Sequence, residues 1–295
     1  MRVLYILLCI VLLHFGCSSD DTIIDQDEKE LMDGILSASV AFTHSDQRIQ
    51  DFLANPTEAY VSCFFQFPDD LANDIIFGLD MEWIEGVDNP IHVSGGDWMS
   101  FAGITREGIL WFPIGAPENL LGTPTEPNLW EIHDLNIDLA PNVWYKMTIF
   151  ADFNKREFIS FRLEGNGLDD TQDISGFPLV YPNYIPFDKP SITYYTHASR
   201  SKDFAPDNTG GTKVYFDDME GGILVGDTFE TIFSNGFEDQ TQITDIPVSL
   251  PVIPLSGVTE NLFYYENSEA KLQFTSTVSR TGNQSMVCDA SLVKD

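Results

Sequence analysis

The stretch FGLDMEWIEG, residues 77–86, sets two carboxylates two positions apart, Asp80 and Glu82. In an extended strand successive side chains alternate between faces, so residues i and i+2 share one. Carboxyl pairs of this kind perform acetal hydrolysis. One protonates the leaving oxygen and the other attacks or directs water, with the groups about 5–5.5 Å apart in the retaining case. The plain alternative is two acids on the outer face of a strand.

Other reacting groups are sparse. The sequence has no Gly-x-Ser-x-Gly elbow, no Gly-rich phosphate loop, no Cys or His pair at zinc spacing and no Asp-x-Asp-x-Asp-Gly calcium loop. His44, His92, His133 and His197 are scattered. His197, beside Tyr194 and Tyr195, reads as a hydrogen-bonded core or edge histidine. Aromatic rings are the remaining resource, because sugar rings have apolar faces that stack on flat side chains while acids and amides bond their hydroxyls. Trp83, Trp98, Trp111, Trp130 and Trp144 all lie in the middle of the chain. Any single Trp of a sandwich is a core residue first. Trp144, however, opposes the apolar face of its strand, and Trp130 lies in EPNLWEIHD beside acids. Trp130, Trp144, Trp98, Tyr194 and Tyr195 are the expected glycan platform.

The elements that must position these residues are β-strands. Residues 28–42, EKELMDGILSASVAF, form the one good helix candidate. Beyond them come AYVSCFFQF (59–67), DIIFGLDMEWI, DWMSFAGI and GILWFPI, separated by Gly, Asn, Asp or Pro clusters. The clearest piece is NVWYKMTIFADFNKREFISFRLEGNG (142–167). Val143, Tyr145, Met147, Ile149 and Ala151 share one face of a strand, and Ile159, Phe161 and Leu163 one face of the next, with DFNKRE as the turn. This period-two pattern predicts a half-buried antiparallel pair. SITYYTH (191–197) and TKVYFDDMEGGILV (212–225) follow. Many short strands and little helix predict an all-β, antiparallel sandwich.

The ends and the composition bound the setting. Arg2 precedes an apolar run, Val3 to Leu13, well short of the roughly 20 residues of a membrane span. Its layout is that of a secretory signal peptide. Residues 18–30 read as an acidic tether. A net charge of −31 argues against nucleic acid, whose phosphates are bound by neutralising them with Lys and Arg, and against a peripheral grip on anionic lipid. Of the four cysteines, Cys9 lies within the signal and Cys17 just after it. Cys63 and Cys288 remain, and outside the cytoplasm they can persist as a disulfide, with two buried free thiols as the alternative.

Three resemblances add to this reading. Gly16-Cys17 followed by Ser18-Ser19-Asp20-Asp21 resembles the lipobox and surface-export tag of Bacteroidota-type lipoproteins, which implies a signal peptide over 1–16, lipidation at Cys17, a tether over 17–30 and an outer-membrane, cell-surface location; an ordinary signal cut nearby is the alternative. WYKMTIFAD with its hairpin and ISFRLEG resembles the central strands of concanavalin A-like, laminin-G-like jelly rolls, and VYFDDMEGG (214–222) resembles the closing strand of carbohydrate-binding modules of that shape. That likeness implies a jelly-roll sandwich over 31–225. In the same modules a structural Ca²⁺ is held by a Glu of the opening strand and an Asp of the closing one, positions matched here by Glu238 and by Asp217 or Asp218. Retaining β-glucanases of this fold carry Glu-x-Asp-x-Glu on one strand; this chain reads Gly78-x-Asp80-x-Glu82, with glycine at the nucleophile, so no catalytic residue is expected. IFSNGFED (232–239) and SRTGNQSMVCDASL (279–292) resemble opening elements of the modules, so 226–295 either completes the sandwich by circular permutation or begins a second one. The expectation is a non-catalytic cell-surface lipoprotein that binds carbohydrate. A glycoside hydrolase or polysaccharide lyase, and a structural protein that binds other surface proteins, are the alternatives.

Overall fold

The computed structural model describes residues 36–42, 47–84, 97–115, 130–180, 191–200, 209–238, 263–266 and 271–290. The lipobox, the tether and residues 28–35 of the expected helix lie outside them. Residues 36–42 of that expectation are strand β1 (Leu36–Phe42), and the described helix is α1 (Gln47–Ala54). The difference follows from what each segment can offer water and its neighbours. LSASVAF has no charged face to turn to water, whereas QRIQDFLA buries Ile49, Phe52 and Leu53 and leaves the intervening polar residues outside.

Two antiparallel sheets make a jelly-roll β-sandwich. The first is ordered β14 (Phe263–Glu266), β1, β11 (Ser191–Arg200), β3 (Ile75–Ile84), β5 (Ala102–Ile104), β6 (Ile109–Pro113) and β7 (Trp130–Asp134), with β4 (Asp97–Met99) also beside β3. The second runs β10 (Leu168–Asp173), β9 (Glu157–Gly165), β8 (Tyr145–Asp152), β2 (Glu58–Gln66), β12 (Lys213–Val225), β16 (Ser285–Asp289) and β15 (Lys271–Thr275), and β13 (Thr228–Asn235) pairs with the far half of β12. Residues 263–290 thus contribute strands to both sheets.

Period two decides what enters the core. Ala59, Val61, Cys63 and Phe65 of β2 face Phe77, Leu79, Met81 and Trp83 of β3, all buried. On the predicted hairpin Tyr145, Met147, Ile149 and Ala151 are buried as the pattern requires, and Phe161 and Leu163 with them. Ile159 is displaced: the register shifts between Phe150 and Ala151, Ala151 pairs with Phe158, and Phe158 takes the core place. An extra residue in one strand reverses the facing of everything beyond it. Asp152 closes this hairpin by accepting the amides of Asn154 and Lys155, each at 3.0 Å.

A second irregularity organises β12. Asp217 pairs with Phe64 and Glu220 with Ser62, so a bulge lies between, and Asp218 has φ 47°. Asp217 turns inward and Asp218 outward, and both grip the loop before β16. Asp217 Oδ2 accepts the amides of Arg280 (2.7 Å) and Thr281 (3.3 Å), and its Oδ1 that of Asp218 (2.8 Å). Asp218 takes the Arg280 guanidinium and the Thr281 hydroxyl, while Glu238 accepts the amides of Asn283 (2.8 Å) and Gln284 (3.4 Å). Burial holds the Asp217 carboxyl above its ordinary range despite these donors.

Cys63 and Cys288 are buried free thiols, which corrects the expected disulfide. They sit on β2 and β16, which flank β12 from opposite sides. Two strand spacings of about 4.8 Å already exceed the roughly 7 Å over which two Cα atoms can be bridged. The Cys63 thiol donates to the Asp217 carbonyl at 3.2 Å. Burial, with the Asp217 charge second, pushes its pKa well up, and burial lifts that of Cys288 to about 12. Since the thiolate is the reactive form, iodoacetamide is expected to leave both residues unlabelled in the native protein and to label both in denaturant without reductant. A non-reduced peptide joining the two would contradict this arrangement.

Candidate functional site

The alternate residues of β3 that leave the core, Gly78, Asp80 and Glu82, face away from the sandwich on the first sheet. In register beside them on β11 stand His197, Tyr195 and Thr193. On the other side, Gly78 is opposite Gly103 of β5, and Gly103 is opposite Trp111 of β6, itself paired with Ile132 of β7. One sheet face therefore holds two carboxyls, a phenol, an imidazole and indole rings.

The carboxyls touch. Glu82 is hydrogen-bonded to both Tyr195 and Asp80; burial raises its pKa above the ordinary Glu range, and these two bonds lower it in part. Two carboxyls bonded to each other must share a proton, since adjacent like charges cannot both ionise at low dielectric. A phenol donating to Glu82 fixes the pair's orientation. Asp80 is 6% exposed and Glu82 half-buried.

Position 78 is glycine for a steric reason. A Cβ there would lie 2.0 Å from the carbonyl oxygen of Ala102 and 2.5 Å from the Cα of Gly103. At Gly103 a Cβ would lie 2.6 Å from Ile76 Cγ2 and 3.0 Å from His197 Cε1. The two glycines make a bare patch of backbone, and the His197 ring borders it. That ring stacks on Phe101 (centroids 3.9 Å apart, 20° between planes), and its Nε2 lies 3.3 Å from the Ala102 carbonyl, the contact of a neutral N–H tautomer. Burial lowers the His197 pKa to about 3, against the opposing bonds of the Ala102 and Leu79 carbonyls. His197 is thus a neutral wall. Among the described residues, its Nδ1 and the hydroxyl of Thr193 are buried on this face without a hydrogen-bond partner.

The aromatic side of the site was only partly foreseen. Trp130, half-buried, packs edge-on against Phe101 (5.9 Å) and Trp111 (6.4 Å), and both of these are buried. Tyr195 is half-buried beside the carboxyls. Two expected platform residues are in the core instead. Tyr194 is fully buried and stacked on Phe233 at 6.2 Å, in a space that Gly221 leaves open. Trp98, paired with the core residue Trp83, is 2% exposed under the Arg156 guanidinium, 4.4 Å from its ring. Trp144 is half-buried but precedes β8 in the second sheet, so it joins no site with Trp130. Phe101, Trp111 and His197 are site residues that the sequence does not single out: His197 pairs with Gly78 and Trp111 with Gly103, and Phe101 stacks on His197, contacts that follow from strand pairing and packing and not from spacing.

The expected calcium ligands are also placed. Every carboxylate oxygen of Asp217, Asp218 and Glu238 receives an N–H or O–H donor from residues 218–284, the Arg280 guanidinium among them at Asp218. As arranged, these three acids hold the loop before β16.

No protein-family model matches the chain, and no curated protein matches it in sequence. Among solved structures, scytalidoglutamic peptidase with a peptide-based transition-state analogue aligns with 11% identity over 86% of this chain and 97% of that one, at TM-score 0.33. The alginate lyase vAL-1 from a Chlorella virus aligns with 10% identity over 56% and 84%, at TM-score 0.27. A glycoside hydrolase family 16 endo-glucanase from Bacteroides ovatus aligns with 9% identity over 57% and 67%, at TM-score 0.26. At these scores no activity passes from those proteins to this chain, and the fold rests on the strand order above.

The two titrating groups act on stability with opposite signs. His197 favours the folded state above its unfolded pKa near 6.5 and loses that contribution as pH falls toward 3. The urea midpoint of the wild type should therefore drop more steeply between pH 6.5 and 4 than that of His197→Gln; parallel slopes would refute it. Glu82, raised on folding, binds its proton more tightly in the native state, so its charge opposes folding at neutral pH. Glu82→Gln is expected to melt higher than wild type at pH 7, with the gap closing on acidification.

Proposed function

We propose that this chain is a glycan-binding protein, held at the cell surface by lipid on Cys17, with the outer face of the first sheet as its saccharide platform. The observation that carries this reading is the sharing of one face by the half-buried Trp130, with Phe101 and Trp111 behind it, and by the hydrogen-bonding groups Tyr195, Glu82 and Asp80. An aromatic ring and fixed hydroxyl partners are the two things a sugar needs. The direct bond between the carboxyls favours binding over hydrolysis. It leaves no gap of about 5–5.5 Å for an anomeric carbon, nor the roughly 6.5–9.5 Å that holds an inverting water. The surface location rests on the apolar run Val3 to Leu13, ended at Gly16-Cys17, and on the acidic residues that follow. No helix among the described residues is long and apolar enough to cross a membrane.

A second reading, glycoside hydrolase or polysaccharide lyase, draws on the raised carboxyl of Glu82, which could serve as a proton donor. The two are separated by one pair of assays. A glycan array is expected to give binding that Trp130→Ala and Tyr195→Phe each weaken about tenfold, roughly 1.4 kcal/mol. Release of reducing ends or unsaturated products by the wild type, abolished in Glu82→Gln, would replace binding with catalysis.

A further inference from the structure

The outer face of the second sheet carries a group of aromatic rings that the platform of the first sheet does not use. Strand register lines up Ser160 of β9, Phe150 of β8, Tyr60 of β2, Gly222 of β12 and Thr231 of β13 in one row across five strands. Their neighbours fix the facing. Ala59, Val61, Ile149 and Ala151 turn into the core, and a Cβ on Gly221 would strike the core residue Tyr194 at 2.6 Å. Gly222 therefore points outward, and Tyr60 lies down over it: a Cβ there would be 2.2 Å from Tyr60 Cε1 and 2.7 Å from its Cζ. The ring crosses β12 until its hydroxyl meets that of Thr231 at 2.7 Å. Phe229, on the same side of β13, completes a triangle of rings. The centroids are 5.9 Å apart for Tyr60 and Phe150, 5.7 Å for Tyr60 and Phe229, and 5.4 Å for Phe150 and Phe229. All three rings are half-buried, and Thr231 is exposed.

We infer that this row is a second saccharide-binding surface, back to back with the platform of the first sheet and built from other residues. Rings laid side by side on a sheet suit the apolar C–H face of a pyranose. The hydroxyl pair supplies the polar half. Each hydroxyl has one proton and two lone pairs, so one bond between them leaves a proton and further lone pairs for a sugar hydroxyl, with both oxygens already held. Ser160 adds a hydroxyl at the other end of the row. Four strand spacings of about 4.8 Å make the row roughly 19 Å long, the reach of an oligosaccharide lying across the strands. Phe64, another outward ring of β2, is by contrast covered by the Arg280 guanidinium 3.4 Å from its centroid. Size argues against a protein partner. An aromatic side chain presents about 150–250 Å² in full, so three half-buried rings offer roughly 300 Å². Each partner of a stable protein complex contributes roughly 800 Å².

The test is calorimetric titration of the full-length chain with cellohexaose, laminarihexaose, mannohexaose and xylohexaose. It is run in wild type and in Trp130→Ala, which cripples the first-sheet platform, so that the binding left in that variant reports the second face. At least one hexaose is expected to remain bound there, and adding Tyr60→Ala or Phe229→Ala to weaken it about tenfold. If Tyr60→Ala does not fold, Thr231→Val, which alters an exposed hydroxyl, is expected to weaken the same binding. Binding by wild type that vanishes wholly in Trp130→Ala would overturn the second surface and leave the first platform standing. Residual binding indifferent to the Tyr60, Phe229 and Thr231 substitutions would overturn it too. Silence of the wild type toward all four hexaoses would overturn it even where a glycan array finds a ligand for Trp130. Dimerisation of the chain in sedimentation, abolished by Phe229→Ala, would assign the rings to a second copy instead.

Discussion

A strand has two faces, and β3 needs both. One row, Phe77, Leu79, Met81 and Trp83, is fully committed to the core. The other row is free of that task only because β5 and β11 bury its backbone bonds on either side. The site depends on this alternation: a slip of one residue would drive Asp80 and Glu82 among phenylalanines, where an unpaired charge is ruinous. The hydrophobic row sets the register, and the register puts the carboxyls where they meet Tyr195. Trp83 on Phe153 and Phe77 against Phe65 and Phe67 therefore hold the acid pair in place without touching it.

β12 solves a related problem on the second sheet. It must pair with β2 along one edge and with two strands, β16 and then β13, along the other. The bulge from Asp217 to Glu220 marks the handover. Its left-handed Asp218 aims one acid at the Arg280 side chain and leaves the other to hold the backbone amides. The bulge presents these acids to the N–H groups of the turn as hydrogen-bond acceptors.

Much of the architecture was legible in residue order, and the exceptions have physical causes. The hairpin at 142–167 was readable because its alternation is nearly unbroken; Ile159 was misplaced because a bulge adds a residue that no periodicity announces. β1 was misread as helix because LSASVAF is short and apolar, and such a run takes the structure its neighbours offer. The disulfide was plausible by compartment alone, and the intervening strand β12 forbids it. At the site, the shared face of Asp80 and Glu82 followed from spacing. What spacing could not show was that Tyr195 and not Tyr194 shares it, since that turns on the phase of β11 against β3. The tight contact at Gly78 was equally hidden, for it comes from Ala102, distant in sequence.

The pairing of β1 with β14 has a kinetic side. Residues 36–42 hydrogen-bond to residues 263–266, and β12 takes its partner from 285–289, so both sheets are finished by contacts between segments far apart along the chain. Closing such loops costs chain entropy before the contacts return any free energy, which places a fold of this kind among the slow ones. While it waits, the edges of β1 and β12 that β14 and β16 will cover are unpaired, the condition under which nascent sandwiches join their neighbours instead of themselves.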